Sequence, residues 1–328
     1  MTRLHDDELD VDEELVRRLL GTLSTAYDGL PLRRFDASGS TNALFRVGDD
    51  LLVRLPRQPG GTETIEKEQR WLPYVAPHLP VPVPELVAVG EPGFGYPEKW
   101  SVVRFLHGDL PVVPVNHEPP RHGLASDLAA VVAALGGLEV PRAAVADPAL
   151  RWYRGRPLAE MDDAMQENLR DSRPLVGHPD LDIDLDEVAS AWARVINMPE
   201  AGREVEPRWY HGDLNAENLL VREGRLVAAL DFGGLSIGDP TIDLVVAWQL
   251  LDGRARATFR SALAVDETTW RLACGWMLAL SVMGLPYYWD TMRDRCLRGL
   301  YAGREALADL TASWTRPGPS AARRTRAR

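Results

Sequence analysis

The chain has 328 residues, 45% hydrophobic and 26% charged, and carries a formal net charge of −11. That is enough chain for a sizeable core and about two lobes. The acidic balance argues against a general nucleic-acid binder and suits either a cationic partner or plain solubility.

The two cysteines, Cys274 and Cys296, have no ligand-like spacing around them, which excludes a disulfide framework and a zinc site. Residues 1–10 contain no apolar signal segment. The longest apolar stretch, Leu272–Pro286, is flanked by Arg271 and Asp290. It is shorter than the ~20 residues a membrane span needs. A cytoplasmic protein with no membrane partner is expected.

In chain order, Asp12 caps a helix running to about Ser24, with Leu15, Leu19, Leu20 and Leu23 on one face. Strand-like runs follow at Leu32–Ala37, Ala43–Val47 and Asp50–Leu55. Between them stand the small-residue turn Ser38-Gly39-Ser40-Thr41-Asn42 and the hairpin turn Gly48-Asp49-Asp50. A helix over Glu63–Ala76 and strands at Glu85–Gly90 and Trp100–Phe105 complete an antiparallel sheet with one helix.

Past Leu106-His107-Gly108-Asp109 helical patterns dominate, over about Arg121–Leu135, Leu158–Leu169, Leu185–Ile196, Pro240–Leu251 and most of Ala255–Leu310. Short strands are expected at Trp209-Tyr210, Leu219–Arg222 and Arg225–Leu230. The fold class is therefore α+β and two-lobed. A small sheet lobe spans residues 1–106, a mainly helical lobe 107–315, and a disordered basic tail 316–328.

The densest chemistry lies in His211-Gly212-Asp213-Leu214-Asn215-Ala216-Glu217-Asn218, followed thirteen residues after Asn218 by Asp231-Phe232-Gly233. Phosphoryl transfer from a nucleoside triphosphate needs one carboxylate to position a hydroxyl and accept its proton. It also needs an amide and a second carboxylate to hold Mg²⁺ against the phosphates. Asp213, Asn218 and Asp231 supply those groups in that order. The joint pattern is far more specific than a lone Asp-Phe-Gly.

A nucleotide also needs a cation on its phosphates, usually a lysine. The only lysines are Lys67 and Lys99, neither on a suitable strand, so Arg54 in Leu51-Leu52-Val53-Arg54-Leu55 is the candidate. Arg54 marks either a weakened kinase or a chain that avoids lysine. Glu68, one helical turn before Leu72, is the carboxylate to orient it. Ser40, Thr41 and Asn42 form either a phosphate-covering loop or an ordinary hairpin turn. The backbone of Arg104 and Leu106, with Val103 behind, stands where a purine edge is read.

These residues resemble the aminoglycoside phosphotransferase family of small-molecule kinases. The likeness rests on His211-Gly212-Asp213-Leu214 with Asn218, on Asp231-Phe232, and on Gly238-Asp239-Pro240 with Asp243-Leu244. Leu52-Val53-Arg54-Leu55-Pro56, Glu68, Pro82-Val83-Pro84-Glu85 and Gly95-Tyr96-Pro97 before Phe105-Leu106-His107-Gly108 extend it. Glycine at 212, where protein kinases carry arginine, separates the chain from them.

The resemblance implies a protein-kinase-like fold, Mg²⁺, ATP or GTP as donor, and a hydroxyl acceptor on a small molecule. Asp213 is then the base, Asn218 and Asp231 the metal ligands, and His211 and Asp243 braces of the loop.

The acceptor is less legible. The acidic segment Ala159–Glu187 is either a flap for a polycation or a set of solvated helix faces. Tyr287, Tyr288 and Asp290 form either a platform for a sugar or amine or part of a packed cluster. An aminoglycoside-like aminocyclitol is the first expectation, acted on by a monomer or weak dimer. A kinase for choline, homoserine, a thiosugar or another antibiotic, and a nucleotide-binding pseudokinase regulator, are the alternatives.

Overall fold

The computed structural model describes residues 7–35, 41–112 and 122–315. Ser40 of the expected phosphate turn and the expected basic tail lie outside the described residues.

In chain order the first elements are α1 (Glu13–Leu23), β1 (Leu32–Arg34), β2 (Asn42–Val47), β3 (Leu51–Pro56), α2 (Gly61–Val75), β4 (Leu86–Gly90) and β5 (Trp100–Arg104). Helices α3 (His122–Gly137), α4 (Arg142–Ala146), α5 (Asp162–Asp171) and α6 (Leu185–Ile196) follow. Next come β6 (Arg208–Tyr210), β7 (Leu219–Arg222), β8 (Arg225–Ala229) and β9 (Ser236–Gly238). The last described elements are α7 (Val246–Leu250), α8 (Gly253–Ala262), α9 (Glu267–Met283), α10 (Leu285–Tyr288) and α11 (Arg293–Thr315).

The described residues fall into two compact units, one drawn from Met1–Arg156 with Val205–Leu263, the other from Pro157–Glu204 with Ala264–Arg328. In the first, β1 to β5 form a five-stranded antiparallel sheet of order β1-β2-β3-β5-β4. Asp12 caps α1, its Oδ1 accepting the Leu15 amide at 2.8 Å. The helix then buries Val16, Leu19 and Leu20 against Phe45, Val53, Leu55, Trp100 and Val102 of the sheet. In the second unit α9 packs along α11, with Arg271 of α9 donating to the Ser313 carbonyl at 2.9 Å.

Helix α2 has Gly60 at its N-cap, with no side-chain cap of its own. Glu98, just before β5, supplies one from a distance. Its carboxylate accepts the amides of Gly60 and Thr62 at 2.9 and 2.8 Å and the Thr62 hydroxyl at 2.5 Å. An anion on the exposed amides of a helix N-terminus is favourable twice over, through hydrogen bonds and through the dipole. Burial works to raise the Glu98 carboxyl, but Thr62 and the two amides more than offset it and hold it below its ordinary range. At the other end of α2, Asp147 accepts from Trp71 Nε1 at 2.8 Å and from Arg70 Nη1 at 2.7 Å.

Two expectations change. The helical run over Ala255–Leu310 divides into α8, α9, α10 and α11, because Asp252 and Asp266 each start a new helix by capping it. Strand β9 is absent from the sequence reading: it is three residues long and gains its partner, β6, only through the fold.

The cap at Glu98 generates a stability prediction. Glu98→Ala should lower unfolding free energy by about 2 kcal/mol at neutral pH, through lost charged hydrogen bonds. Because the native carboxyl sits low, that advantage is full above the unfolded value. It should fade as pH falls below about 4, which urea unfolding across pH would show.

Candidate active site

Strands β7 and β8 form a hairpin in which Leu219 pairs with Ala229. Its ends are therefore adjacent, and the Leu230 amide donates to the Asn218 carbonyl at 2.8 Å. This local geometry brings Asn218 beside the segment that carries Asp231. Asp231 adopts φ 53°, ψ 74°, a left-handed conformation that strains a residue with a Cβ by about 1–3 kcal/mol. Its Oδ1 accepts the Gly233 amide at 3.2 Å.

The loop from His211 to Asn218 is braced from below. Asp243 is 1% exposed, and its two oxygens accept the amides of His211 and Gly212, each at 2.7 Å. Burial raises the Asp243 carboxyl; His211 and the two amides offset this only in part. The His211 ring is wholly buried. Its Nδ1 accepts the Asp213 amide at 3.3 Å, which leaves the proton on Nε2, 3.0 Å from the Leu230 carbonyl. Gly212 has φ 83°, and a Cβ there would fall 2.8 Å from both the Gly234 carbonyl and the Trp152 ring. No side chain fits at that position.

So held, the Asp213 carboxylate receives Asn218 Nδ2 on Oδ2 at 3.0 Å. The same Nδ2 reaches the Asp213 carbonyl at 2.9 Å, so Asn218 keeps its Oδ1 as an oxygen donor for a metal. Arg154 Nη1 lies 2.8 Å from Asp213 Oδ1. Sequence reading missed this residue, which sits far from the motif in a run that resembles no known pattern.

Arg54 on β3 is 8% exposed and Glu68 on α2 is 3% exposed. The guanidinium pairs with the carboxylate through both terminal nitrogens and donates from Nε to Ser101 Oγ at 3.2 Å. Burial alone would lower the Arg54 guanidinium; Glu68, and more weakly Asp231, raise it above its ordinary value. Lys67, also passed over, is buried one residue before Glu68. Burial lowers its ammonium, against the opposing charges of Glu68, Asp231 and Asp147. Thr64, Lys67 and Trp71 share one face of α2, and Thr64 is the neighbour a Cβ on Gly233 would meet. Asp231 itself is pushed up to about 6, by burial first and by Glu68, with Arg54 pulling the other way.

Other expected residues are spread around the sheet. Thr41 is exposed and its carbonyl accepts the Arg57 amide at 2.9 Å. Asn42 opens β2 opposite Pro56. Val103 is buried, Leu106 half-buried, and the exposed Arg104 gives its amide to the Glu85 carbonyl at 2.9 Å.

Tyr287, Tyr288 and Asp290 belong to the second unit, where the two tyrosines stack edge to face at 4.7 Å. Asp290 is exposed. Several acidic residues of that unit are engaged within it: Asp162 with Trp192, Asp180 with Arg293, Asp182 with Arg304 and Asp186 with Arg173.

Comparison with known proteins gives one family. Residues 33–276 match the phosphotransferase enzyme family, APH. No curated protein matches the sequence. Among solved structures, the GDP and kanamycin complex of APH(2")-IIia is 19% identical, with a TM-score of 0.64 over 90% of this chain and 99% of that one. The gentamicin–APH(2")-IIa complex is 14% identical, TM-score 0.60, over 92% and 99%. The apoenzyme of macrolide 2'-phosphotransferase MphH from Brachybacterium faecium is 22% identical, TM-score 0.58, over 94% and 100%. At these identities the likeness is one of fold, a kinase-like architecture with a small antiparallel sheet and a larger helical part.

The raised Asp231 carboxyl has a sign that can be checked. Between about pH 4 and 6 the native state binds more protons than the unfolded chain, so stability falls as pH rises through that window. Asp231→Asn removes the penalty. It should stabilise the ligand-free protein by about 3 kcal/mol at pH 8 and by little at pH 4. A pH-independent difference in urea unfolding would contradict a raised Asp231.

Proposed function

The chain belongs to the phosphotransferase enzyme family and is an enzyme that transfers phosphate to an alcohol group; from that premise we propose that it moves the γ-phosphate of ATP or GTP, with Mg²⁺, to a hydroxyl of a small molecule. The observation that carries this reading is the convergence of Asp213, Asn218 and the Asp231 segment on one loop and one hairpin.

The donor set fits the metal. Asn218 keeps an amide oxygen, and Asp231 is a carboxylate whose charge burial disfavours, a state that an added cation relieves. Two oxygen ligands, with the rest from phosphates and water, is the usual protein share for Mg²⁺. Bound there, the ion neutralises charge on the transferring phosphate.

The chain's own groups do the rest. Asp213 orients the acceptor hydroxyl and takes its proton. Arg54, aimed by Glu68 and Ser101, keeps further N–H groups for phosphate oxygens. The intact pairing of Arg54 with Glu68 supports catalysis over a regulatory pseudokinase and supports arginine as a working substitute for lysine. Lys67 adds a second cation that acts electrostatically on Asp231. His211 and Asp243 hold the loop, and Thr41, Asn42 and the strand end at Val103, Arg104 and Leu106 frame the nucleotide.

An aminoglycoside-like aminocyclitol is the first acceptor. The net charge of −11 supports a cationic one, and kanamycin and gentamicin occupy structural neighbours. A macrolide is the second, on the likeness to the macrolide enzyme. The reading assigns no nucleic-acid or membrane partner and a cytoplasmic monomer or weak dimer; no helix among the described residues is long and apolar enough to cross a membrane.

The test is ADP or GDP release with Mg²⁺ across aminoglycosides, macrolides and small hydroxylated metabolites. Asp213→Ala should cut acceptor-dependent turnover by about 10²–10⁴-fold while nucleotide binding persists. Nucleotide binding with no acceptor-dependent turnover would turn the reading to a regulator. Absence of nucleotide binding would end it.

A further inference from the structure

The cation on Asp213 comes from a segment outside every motif, Trp152-Tyr153-Arg154-Gly155. Arg154 Nη1 reaches both the Gly212 carbonyl and Asp213 Oδ1 at 2.8 Å. Its side chain is 17% exposed. Its guanidinium carbon stands 4.5 Å from the centre of the Trp152 ring, and its Nε donates to the Tyr153 hydroxyl at 3.1 Å. Burial works to lower the guanidinium, and Asp213 and Tyr153 more than offset it, so the group remains charged.

The backbone that carries Arg154 is fixed to the strands that carry the loop. The Gly155 carbonyl accepts the Asp239 amide at 2.9 Å, and the Tyr210 hydroxyl donates to the Trp152 carbonyl at 3.4 Å. A Cβ on Gly155 would fall 2.5 Å from that hydroxyl, and one on Gly238, at φ 158°, would fall 2.5 Å from the Gly155 carbonyl. Backbones approach that closely only where glycine stands. Arg154 is thus set in place by β6 and the residues after β9, and is no loose surface arginine.

We propose that Arg154 is a positioning residue for Asp213, which rests on the phosphotransferase reading above. A carboxylate swings about its Cβ–Cγ bond unless both oxygens are engaged. Here Arg154 holds Oδ1 and Asn218 holds Oδ2, which fixes the plane in which an acceptor hydroxyl is met. The loop has no cation of its own at the neighbouring position, because Trp152 and the Gly234 carbonyl exclude any side chain at 212. The ring that forbids an arginine at 212 also carries the arginine at 154 on its face.

The experiment uses the full chain with Mg²⁺ and ATP or GTP, and water, kanamycin or a macrolide as acceptor. Arg154→Met keeps the stem on Trp152 and removes the charge; Arg154→Lys keeps a charge without the fork. Melting temperature and nucleotide affinity confirm a folded, loaded enzyme. Arg154→Met should lower kcat about 100-fold, the scale expected of a misplaced reacting group, with nucleotide affinity unchanged. Added guanidinium should recover part of the rate, and Arg154→Lys should fall between. The double variant with Asp213→Ala should be no slower than Asp213→Ala alone, as for residues that act as one unit. Turnover by Arg154→Met within about twofold of wild type, or effects that multiply in the double variant, would overturn the assignment and leave the phosphotransferase reading standing. A wild-type chain that binds neither nucleotide would overturn both.

Discussion

Asp243 sits 1% exposed beneath the loop, and its bonds to the amides of His211 and Gly212 are the constraint on which the geometry of the site depends. Those amides lie at a turn that Gly212 takes through a left-handed conformation, and no neighbouring strand pairs with them. Without the carboxylate two buried donors would go unsatisfied, each costing about 1–3 kcal/mol. With it, the His211 ring is set against Phe232 at 4.7 Å and the Asp213 side chain leaves the turn in a single direction. A buried carboxylate holds the loop from below.

Around that loop the charges alternate. Arg54 faces Glu68, Lys67 lies beside Glu68 and within the field of Asp231, and Arg154 meets Asp213. Asp231 is the exception. Burial first, and then the charges of Glu68 and Asp213, raise its proton affinity against the pull of Arg54. A strained backbone and an undercompensated carboxylate at one residue are the kind of local cost that a fold retains where the residue has a task.

Local signals carried much of the architecture. Asp12 before an apolar stripe reads directly as a cap, and the short apolar runs Leu51–Leu55 and Trp100–Phe105 read as strands. The order of acid, amide and acid was visible because all three lie in one stretch of chain. What escaped the sequence acts through space. Glu98 caps a helix that begins 37 residues earlier, at Gly61. Arg154 meets a carboxylate 59 residues away. Lys67 looks like a surface lysine until α2 is docked. None of these has a local pattern, since the partner is chosen by the fold and not by the neighbours in sequence.

The β7–β8 hairpin gives the interval between Asn218 and Asp231 a meaning. Asn218 stands opposite Leu230 because two strands run out from the ends and meet at Glu223-Gly224, with one irregular rung between Leu220 and Val221. Thirteen residues is therefore the contour length of a ribbon, set by how many rungs it has. Equal additions to both strands would carry the turn farther out and leave the two ends opposite each other. A pattern keyed to a fixed interval would miss such a chain, whereas one keyed to a hairpin of any length would find it.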